Sequence, residues 1–538
     1  MKNKKKIYLY ICSAALLTLG SCTKKFDSIN TDPTQAIAAN YDPNLLLSSQ
    51  QIEYFNASTG YSGAILLQSM WTQILASAAY PSYYSNGDKY VASGNLNSYD
   101  ASLWTHCYNS ASYAYECQSL VKTTPALSNL SGMSLIMELL DIQSITDTYG
   151  DVPFSQALQA KSNVNLPIYD AQQAIYTSML AKLDSVIPTL DASKALPTND
   201  LFPYKGDVGK WKKFGYSLML RMAMRLTKAD AATAQKYAEK AYAGGTFAGT
   251  ADDAFVTFDH ADNYNNNNIG AYQTTEDFSE VKWNYNVITA LKLSADPRLK
   301  VIAEVPKPGS DSAAMEGQMG DTTFAAQKGM PNGYDQNGGA TDISHEPNYP
   351  GSSGSGSVLN VTGKYSRPAI GEYISLNLPA FAINYAETEL LLAEAAARGW
   401  SVGASASVHY ANGLTAALQS YATLSAYGTI LPATITAYVA SHPLITTSLT
   451  TELAQINTQY WLTTGTLFDF NEAWHNWRRS GYPLLTPINY AGSFSPGAIP
   501  RRQAYPSTEA ATNPINYQAA VTKMGGTDLY TGRVWWDK

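Results

Sequence analysis

Apolar residues recur at alternating spacings of three and four along much of this chain, the mark of helices with one buried face. Ile383, Ala386, Leu390, Ala393 and Ala397 form one such stripe, and Gly399 follows as a stop signal. A second helix is predicted from about Ala404 to Tyr421, with small residues and tyrosines inward, so the two make a hairpin of about 40 residues. An earlier hairpin has the same form: Trp211, Phe214, Leu218 and Met222 line one helix, a turn falls near Asp230, and Ala232–Ala243 returns. Further helices are predicted at Tyr61–Ala79, Met133–Thr148, Asp170–Ile187, Thr451–Thr464 and Phe468–Trp477. Strand signals are few and short. The predicted fold class is mainly α, a tetratricopeptide-like scaffold of helical pairs, although the exact repeat consensus is absent.

Irregular stretches interrupt this scaffold. Asp259–Asn268 is rich in asparagine, and Lys307–Lys364 is dense in Gly, Ser, Pro and Asn. Loops of that length in a folded domain are usually functional or disordered. The well-formed flanking helices favour an elaborated surface carried on the scaffold.

The N-terminus has a different pattern. Lys2, Lys4, Lys5 and Lys6 precede an apolar run from Ile7 to Leu19, too short to span a bilayer, which needs roughly 20 residues. This is the layout of a cleavable secretory leader. It ends in Leu19-Gly20-Ser21-Cys22, small residues directly before a thiol, the arrangement required for acylation of Cys22. The expected organisation is a lipoprotein signal peptide over 1–21, a lipidated polar tether over 22–40 and a single helical domain over 41–538, with a loop-rich insertion at about 307–364. Such a body is held to a membrane by its lipid.

The chain carries a formal charge of -7, which becomes about -11 when the four leader lysines are removed. An acidic chain poor in Lys and Arg is a poor nucleic-acid binder. Charged residues are 15% of the chain, against roughly 25% in typical soluble proteins, while tyrosine occurs 38 times and tryptophan 10 times. Neutral polar groups beside aromatic faces suit a hydroxyl-rich ligand such as a glycan, although most of these rings are expected in the core. Cys107 and Cys117 share one helix-like segment, Ala101–Val121. Ten helical residues separate their Cα atoms by about 15 Å, beyond disulfide reach, so both are read as buried free thiols.

Motifs for hydrolytic or phosphoryl chemistry are missing. No GxSxG surrounds a serine, His345-Glu346 is followed by Pro347 rather than completing HExxH, and Gly363-Lys364 lacks the rest of a phosphate loop. Asp259, Asp262 and Asn263 are candidate oxygen ligands for calcium, but the turn has no glycine and no downstream glutamate at fixed spacing; a hydrated turn is the other reading. Paired carboxylates of a glycosidase, about 5–10 Å apart, leave no trace in sequence spacing.

A set of runs, in order, resembles the SusD/RagB-like outer-membrane lipoproteins, in particular their second SusD-like branch. It begins at Cys22-Thr-Lys-Lys-Phe-Asp-Ser-Ile-Asn-Thr-Asp-Pro33 and continues with Ile145-Thr-Asp-Thr-Tyr-Gly-Asp-Val-Pro-Phe154. Gly206-Asp207, Lys210-Trp-Lys-Lys-Phe214, Leu220-Arg-Met-Ala-Met-Arg-Leu226 and Asp296-Pro-Arg-Leu299 follow. The later runs are Tyr385-Ala-Glu387, Ala393-Glu-Ala395, Arg398-Gly-Trp400, Glu472-Ala-Trp474, Trp477-Arg-Arg-Ser-Gly-Tyr-Pro483, Ile499-Pro-Arg-Arg502 and Val534-Trp-Trp-Asp537. Physically these look structural: Asp147, Gly150 and Asp151 offer turn and capping chemistry, and Arg478 and Arg479 can fork onto carboxylates or helix-end carbonyls.

The resemblance implies a cell-surface lipoprotein of the outer membrane, seated as a lid on a SusC-like TonB-dependent transporter and capturing an oligosaccharide or other nutrient. It implies ligand contacts from aromatic residues in loops after an early helix and in the irregular middle. The rings so placed here are Tyr80, Tyr83, Tyr84, Tyr264, Trp283, Tyr285 and Tyr334. No cofactor is expected beyond the calcium candidate. Lys24 and Lys25 stand where displayed lipoproteins often carry acids, which leaves periplasmic orientation open. The reading is a binding protein rather than an enzyme. Its alternatives are a helical (α/α)-type glycoside hydrolase or lyase, and a ligand-free scaffold subunit of the transporter complex.

Overall fold

Single capping residues start the principal helices. Asp207, Asp230, Asn384, Ser405 and Asp469 each turn a side-chain oxygen onto a backbone N–H of the first turn that follows, satisfying a donor that has no partner within the helix. The computed structural model describes residues 41–79, 83–272, 279–309 and 318–538. Cys22 and the 22–40 tether lie outside the described residues.

Asn44–Lys538 forms one unit. Its first half carries α1 (Asn44–Ser58), α2 (Tyr83–Lys89), α3 (Leu96–Val121), α4 (Ser128–Tyr149), α5 (Gln172–Val186), α6 (Val208–Arg225) and α7 (Ala231–Gly244). The second half carries α8 (Tyr285–Leu293), α9 (Tyr385–Ala397), α10 (Ala406–Gln419), α11 (Pro432–Ser441), α12 (Leu449–Thr466), α13 (Phe470–Ser480) and α14 (Pro514–Lys523). Helices α3 and α4, α6 and α7, α9 and α10, and α12 and α13 pack as consecutive pairs. This is the helical-pair scaffold that the periodicity predicts. Strands are confined, among the described residues, to four two-stranded antiparallel ribbons of two to four residues per strand. No helix among the described residues is long and apolar enough to cross a membrane.

Small residues set how closely the pairs approach. A Cβ on Gly413 of α10 would sit 2.9 Å from Leu390 Cγ of α9, and Ala386, Ala416 and Ala417 fill the same crossing. The predicted stripe begins one turn too early, because Ile383 closes the strand Ala380–Ile383 and Asn384 caps the helix after it. Gly399 ends it in the left-handed region, at φ 80°. The predicted Tyr61–Ala79 helix also breaks. It holds as a π-helix over Tyr61–Gln68 and an α-turn over Ser69–Trp71. Gln73 then turns left-handed at φ 54°, and Leu75–Ala76 pairs with a distant strand. Cys107 and Cys117 are buried free thiols in α3, as their spacing implies.

The core between the pairs is both aromatic and ionic. Trp71, Trp211, Trp461, Trp474 and Trp536 are fully buried. Among them run charges from four helices. Arg221 of α6 forks onto Glu387 of α9 at 2.5 and 2.6 Å and donates to the Ala382 carbonyl at 2.7 Å. One turn on, Arg225 bonds Asp147 of α4 at 3.0 Å and Glu472 of α13. Arg479 of α13 forks onto Glu394 of α9 at 2.7 Å through both arms and reaches Asn457 of α12 at 2.9 Å. Arg478 instead binds the Asp147 and Arg501 carbonyls and lies 3.7 Å from the Trp474 ring centre. Asp147 is therefore an ion-pair partner, also held by the Trp536 indole at 2.8 Å, and not the capping residue its motif suggests. Asp151 does cap, accepting the Gln172 N–H at the start of α5.

Burial opposes the charge on Glu394, yet Arg479 beside it prevails and holds its carboxyl far below the usual carboxylate range. Removing one partner of such a pair strands the other charge. Glu394→Gln is expected to lower the unfolding free energy by about 3–5 kcal/mol, read by chemical denaturation. At other buried carboxyls no cation outweighs the burial. Burial pushes Asp253 and Glu372 up to about 8 and Asp469 to about 7. A raised acid contributes fully below its unfolded pKa, near 4, and loses that contribution as pH climbs through the folded value. Stability should therefore fall between about pH 4 and 8. Asp253→Asn should flatten that slope in thermal unfolding across pH, because the Asp253 Oδ2 atom has no partner to lose.

Candidate functional site

Four segments far apart in sequence are laced together beneath the loops singled out above. Leu75 pairs with Trp283 in an antiparallel ribbon. The Met330 N–H donates to the Trp283 carbonyl and the Tyr285 N–H to the Met330 carbonyl, both at 2.9 Å. The Trp283 N–H reaches Ser366 at 2.8 Å, and the Ser366 N–H reaches Lys328 at 2.7 Å. The result is a floor of backbone hydrogen bonds joining residues near 75, 283, 330 and 366.

Helix α2 is fastened to this floor by one carboxylate. Asp88, fully buried, accepts the Gly333 N–H at 2.7 Å, the Ser77 N–H at 3.2 Å and an amide N–H of Asn332. Lys89 beside it donates to Ser85 Oγ at 2.7 Å and to the Ser77 carbonyl at 3.2 Å. Burial raises the Asp88 carboxyl and lowers the Lys89 amine, and each offsets part of the other's shift. A second carboxylate organises the next turn. Desolvation at Asp335 is outweighed by hydrogen bonds from Tyr490, Thr341 and the Asn337 N–H, which hold it below its ordinary pKa.

Above the floor lies an open cleft of about 470 Å³, lined by Ala79, Glu280, Gln336, Leu359, Asn360 and Thr362 among others. Leu359 and Val358 on its wall are 57% and 45% exposed, a large apolar exposure for a loop. Amides, hydroxyls and aliphatic carbons thus meet in one concavity, the mixture that a neutral polar ligand of mixed surface needs.

The candidate rings divide sharply. Tyr83 on α2 and Tyr285 at the start of α8 are exposed, at 38% and 50%. Tyr334 is half-buried against Ala76, Ala78, Met330, Ile343 and Tyr365. These three stand on the laced segments. Trp283 and Tyr84 are corrections to the expected platform, since both are fully buried. The Trp283 indole N–H donates to the Ile302 carbonyl at 2.8 Å and its ring packs on Tyr373 and Phe468. Tyr264 belongs elsewhere. Its ring packs tilted against Phe258, centroids 4.6 Å apart, within the cluster that holds Phe55 of α1, and its hydroxyl is buried. Tyr80 lies outside the described residues.

The calcium candidates form a tight turn. Asp259 caps it by accepting the Ala261 N–H at 3.0 Å, while Asp262 and Asn263 face outward, exposed. Among the described residues no group of three His, Cys, Asp or Glu side chains is arranged to hold a metal ion. Sequence reasoning missed Asp88, Gln336, Asn360 and Tyr490. The Asn332-Gly333 pair was the available turn signal, but its partner Asp88 lies 245 residues away.

The scaffold of helical pairs is the fold of SusD-like proteins. The chain belongs to that family: the SusD-like model described as "Starch-binding associating with outer membrane" matches residues 34–506. Among solved structures, a chitin-binding protein is 31% identical with a TM-score of 0.75, covering 92% of this chain and 100% of that one. A Bacteroidetes SusD-like protein is 22% identical, with TM-score 0.75 and coverage of 93% and 100%. A chitin-binding SusD homolog from Flavobacterium johnsoniae is 23% identical, with TM-score 0.69 and coverage of 92% and 98%. At 22–23% identity the likeness is one of fold. A search of curated protein sequences returned no match.

Because Asp88 ties α2 to the 332–333 turn through both carboxylate oxygens, Asp88→Ala is expected to speed amide exchange at Ser77 and Gly333 by at least about tenfold, the loss of one to two hydrogen bonds. Hydrogen-exchange mass spectrometry on peptides covering both residues checks this.

Proposed function

We propose that this protein captures an oligosaccharide at the loop-built cleft and passes it to a SusC-like TonB-dependent transporter, working as a lipid-anchored protein of the outer-membrane surface. The observation that carries the reading is the full-length match to a chitin-binding protein at 31% identity, with 100% of that chain covered. Family membership over residues 34–506 supports the association with the outer membrane, and the leader ending at Cys22 supports the anchor.

The site's chemistry fits such a ligand. Sugars present hydroxyls around a ring whose C–H face is apolar. Gln336 and Asn360 line the cleft and offer both donors and acceptors, and Tyr83, Tyr285 and Tyr334, on the segments laced beside it, are the rings proposed to meet the ligand. Such contacts give modest affinity, since ordering a flexible glycan offsets much of the contact energy. The buried arginines and carboxylates of the core pair with one another inside the scaffold, so their role in this reading is to hold the helices rather than to catalyse.

Chito-oligosaccharides are the first ligands to test, with malto-oligosaccharides beside them. The expected result is binding that weakens by about tenfold or more in Tyr83→Ala and Tyr334→Ala, measured by titration calorimetry on the mature chain. Affinity unchanged in both variants would remove these rings from the site. Release of new reducing ends by the purified protein would favour the hydrolase alternative instead.

A further inference from the structure

A second cavity, of about 320 Å³, opens where the C-terminal segment folds back over the end of α4, and it shares no lining residue with the loop-built cleft. One wall is apolar: Trp535 is half-buried there, and Met524 and Leu529 are 37% and 50% exposed. The charged residues lining it are Arg502, Lys523 and Arg533 against one acid, Asp151. This excess of positive charge lies in a chain whose formal charge is -7.

The neighbouring acids are already shared. Asp537 accepts both Arg533, at 2.9 Å, and Arg501. Asp528 accepts Arg502 together with the Tyr505 N–H at 2.8 Å. Asp151 lies 3.7 Å from the Lys523 amine but also caps α5. Arg502 is only 1% exposed, and its Nε–H is buried without a hydrogen-bond partner among the described residues. The other two arms of that guanidinium bond Asp528 and the Tyr149 carbonyl, the latter at 3.0 Å, so Arg502 lends its positive charge to the cavity wall.

We propose that this cavity is a second binding site, for an acidic monosaccharide: a sugar ring lying against Trp535 and Leu529, with its carboxylate or phosphate turned to Arg502, Lys523 and Arg533. A cavity at the lower end of the usual ligand-pocket range, about 300–1,000 Å³, suits one or two sugar units. The site would let the protein take an anionic ligand separately from the neutral oligosaccharide proposed for the cleft.

The test is titration calorimetry on the mature chain with glucuronate and glucose 6-phosphate as probes, and glucose and inorganic phosphate as controls. Both acids are expected to bind at least about tenfold more tightly than glucose, and glucose 6-phosphate more tightly than inorganic phosphate. Lys523→Gln and Arg533→Gln, at side chains 59% and 53% exposed, should each weaken the acids by about tenfold, the first without shifting the unfolding midpoint. Trp535→Ala should weaken them too, and Tyr334→Ala should leave them unchanged. Glucose binding as well as the acids, inorganic phosphate binding as well as glucose 6-phosphate, or affinities unmoved in both cation variants would overturn the proposal.

Discussion

The ion pairs that cross the core constrain everything built around them. Arg221, Arg225 and Arg479 leave helices α6 and α13 and end on carboxylates from α4, α9 and α13 itself, with almost no access to water. Charges so placed contribute little net stability over an apolar core, because desolvation consumes most of the attraction. Their effect is selective instead. A helix shifted by one turn would leave a guanidinium or carboxylate unpaired inside the protein, at a cost of several kcal/mol. The network therefore fixes which helices meet and in what register.

That fixed register also holds the loops in place. The floor of the cleft comes from short strand pairs near 75, 283, 330 and 366, none able to persist alone. They hold because the helices before and after each one are pinned. The indole of Trp283 is part of that pinning: its N–H meets the Ile302 carbonyl, and its ring joins Tyr373 and Phe468 at the entrance to α13. Buried aromatics and paired charges thus hold the scaffold, while tyrosines, amides and aliphatic side chains of the loops remain at the surface.

The helical pairs were legible where a single apolar stripe met small residues, as at Trp211, Phe214, Leu218 and Met222, all of which are buried. Helix α1 was not, and the reason is visible in its inner face. Gln50 and Gln51 occupy core positions there, with Gln50 exchanging hydrogen bonds with Ser134 and Gln51 binding Asp200. Polar residues satisfied inside the protein erase the periodicity on which prediction rests. The rings were misjudged for the same reason. Tyr83 and Tyr84 are neighbours in sequence, yet the helix turns one to solvent and the other to the core.

What the sequence determined by itself was local and compositional: helix periods, capping residues, the thiols too far apart on one helix to pair, and an ordered set of runs specific enough to mark the family. These follow from interactions spanning a few residues, or from patterns carried whole along the chain. What only the tertiary structure decided was which polar groups meet. Asp88 finds Gly333, Tyr490 finds Asp335, and Arg502 is left with a buried, unshared N–H beside a cavity. Those outcomes depend on contacts between residues far apart in the chain, formed only once the buried charges have set the helices in place.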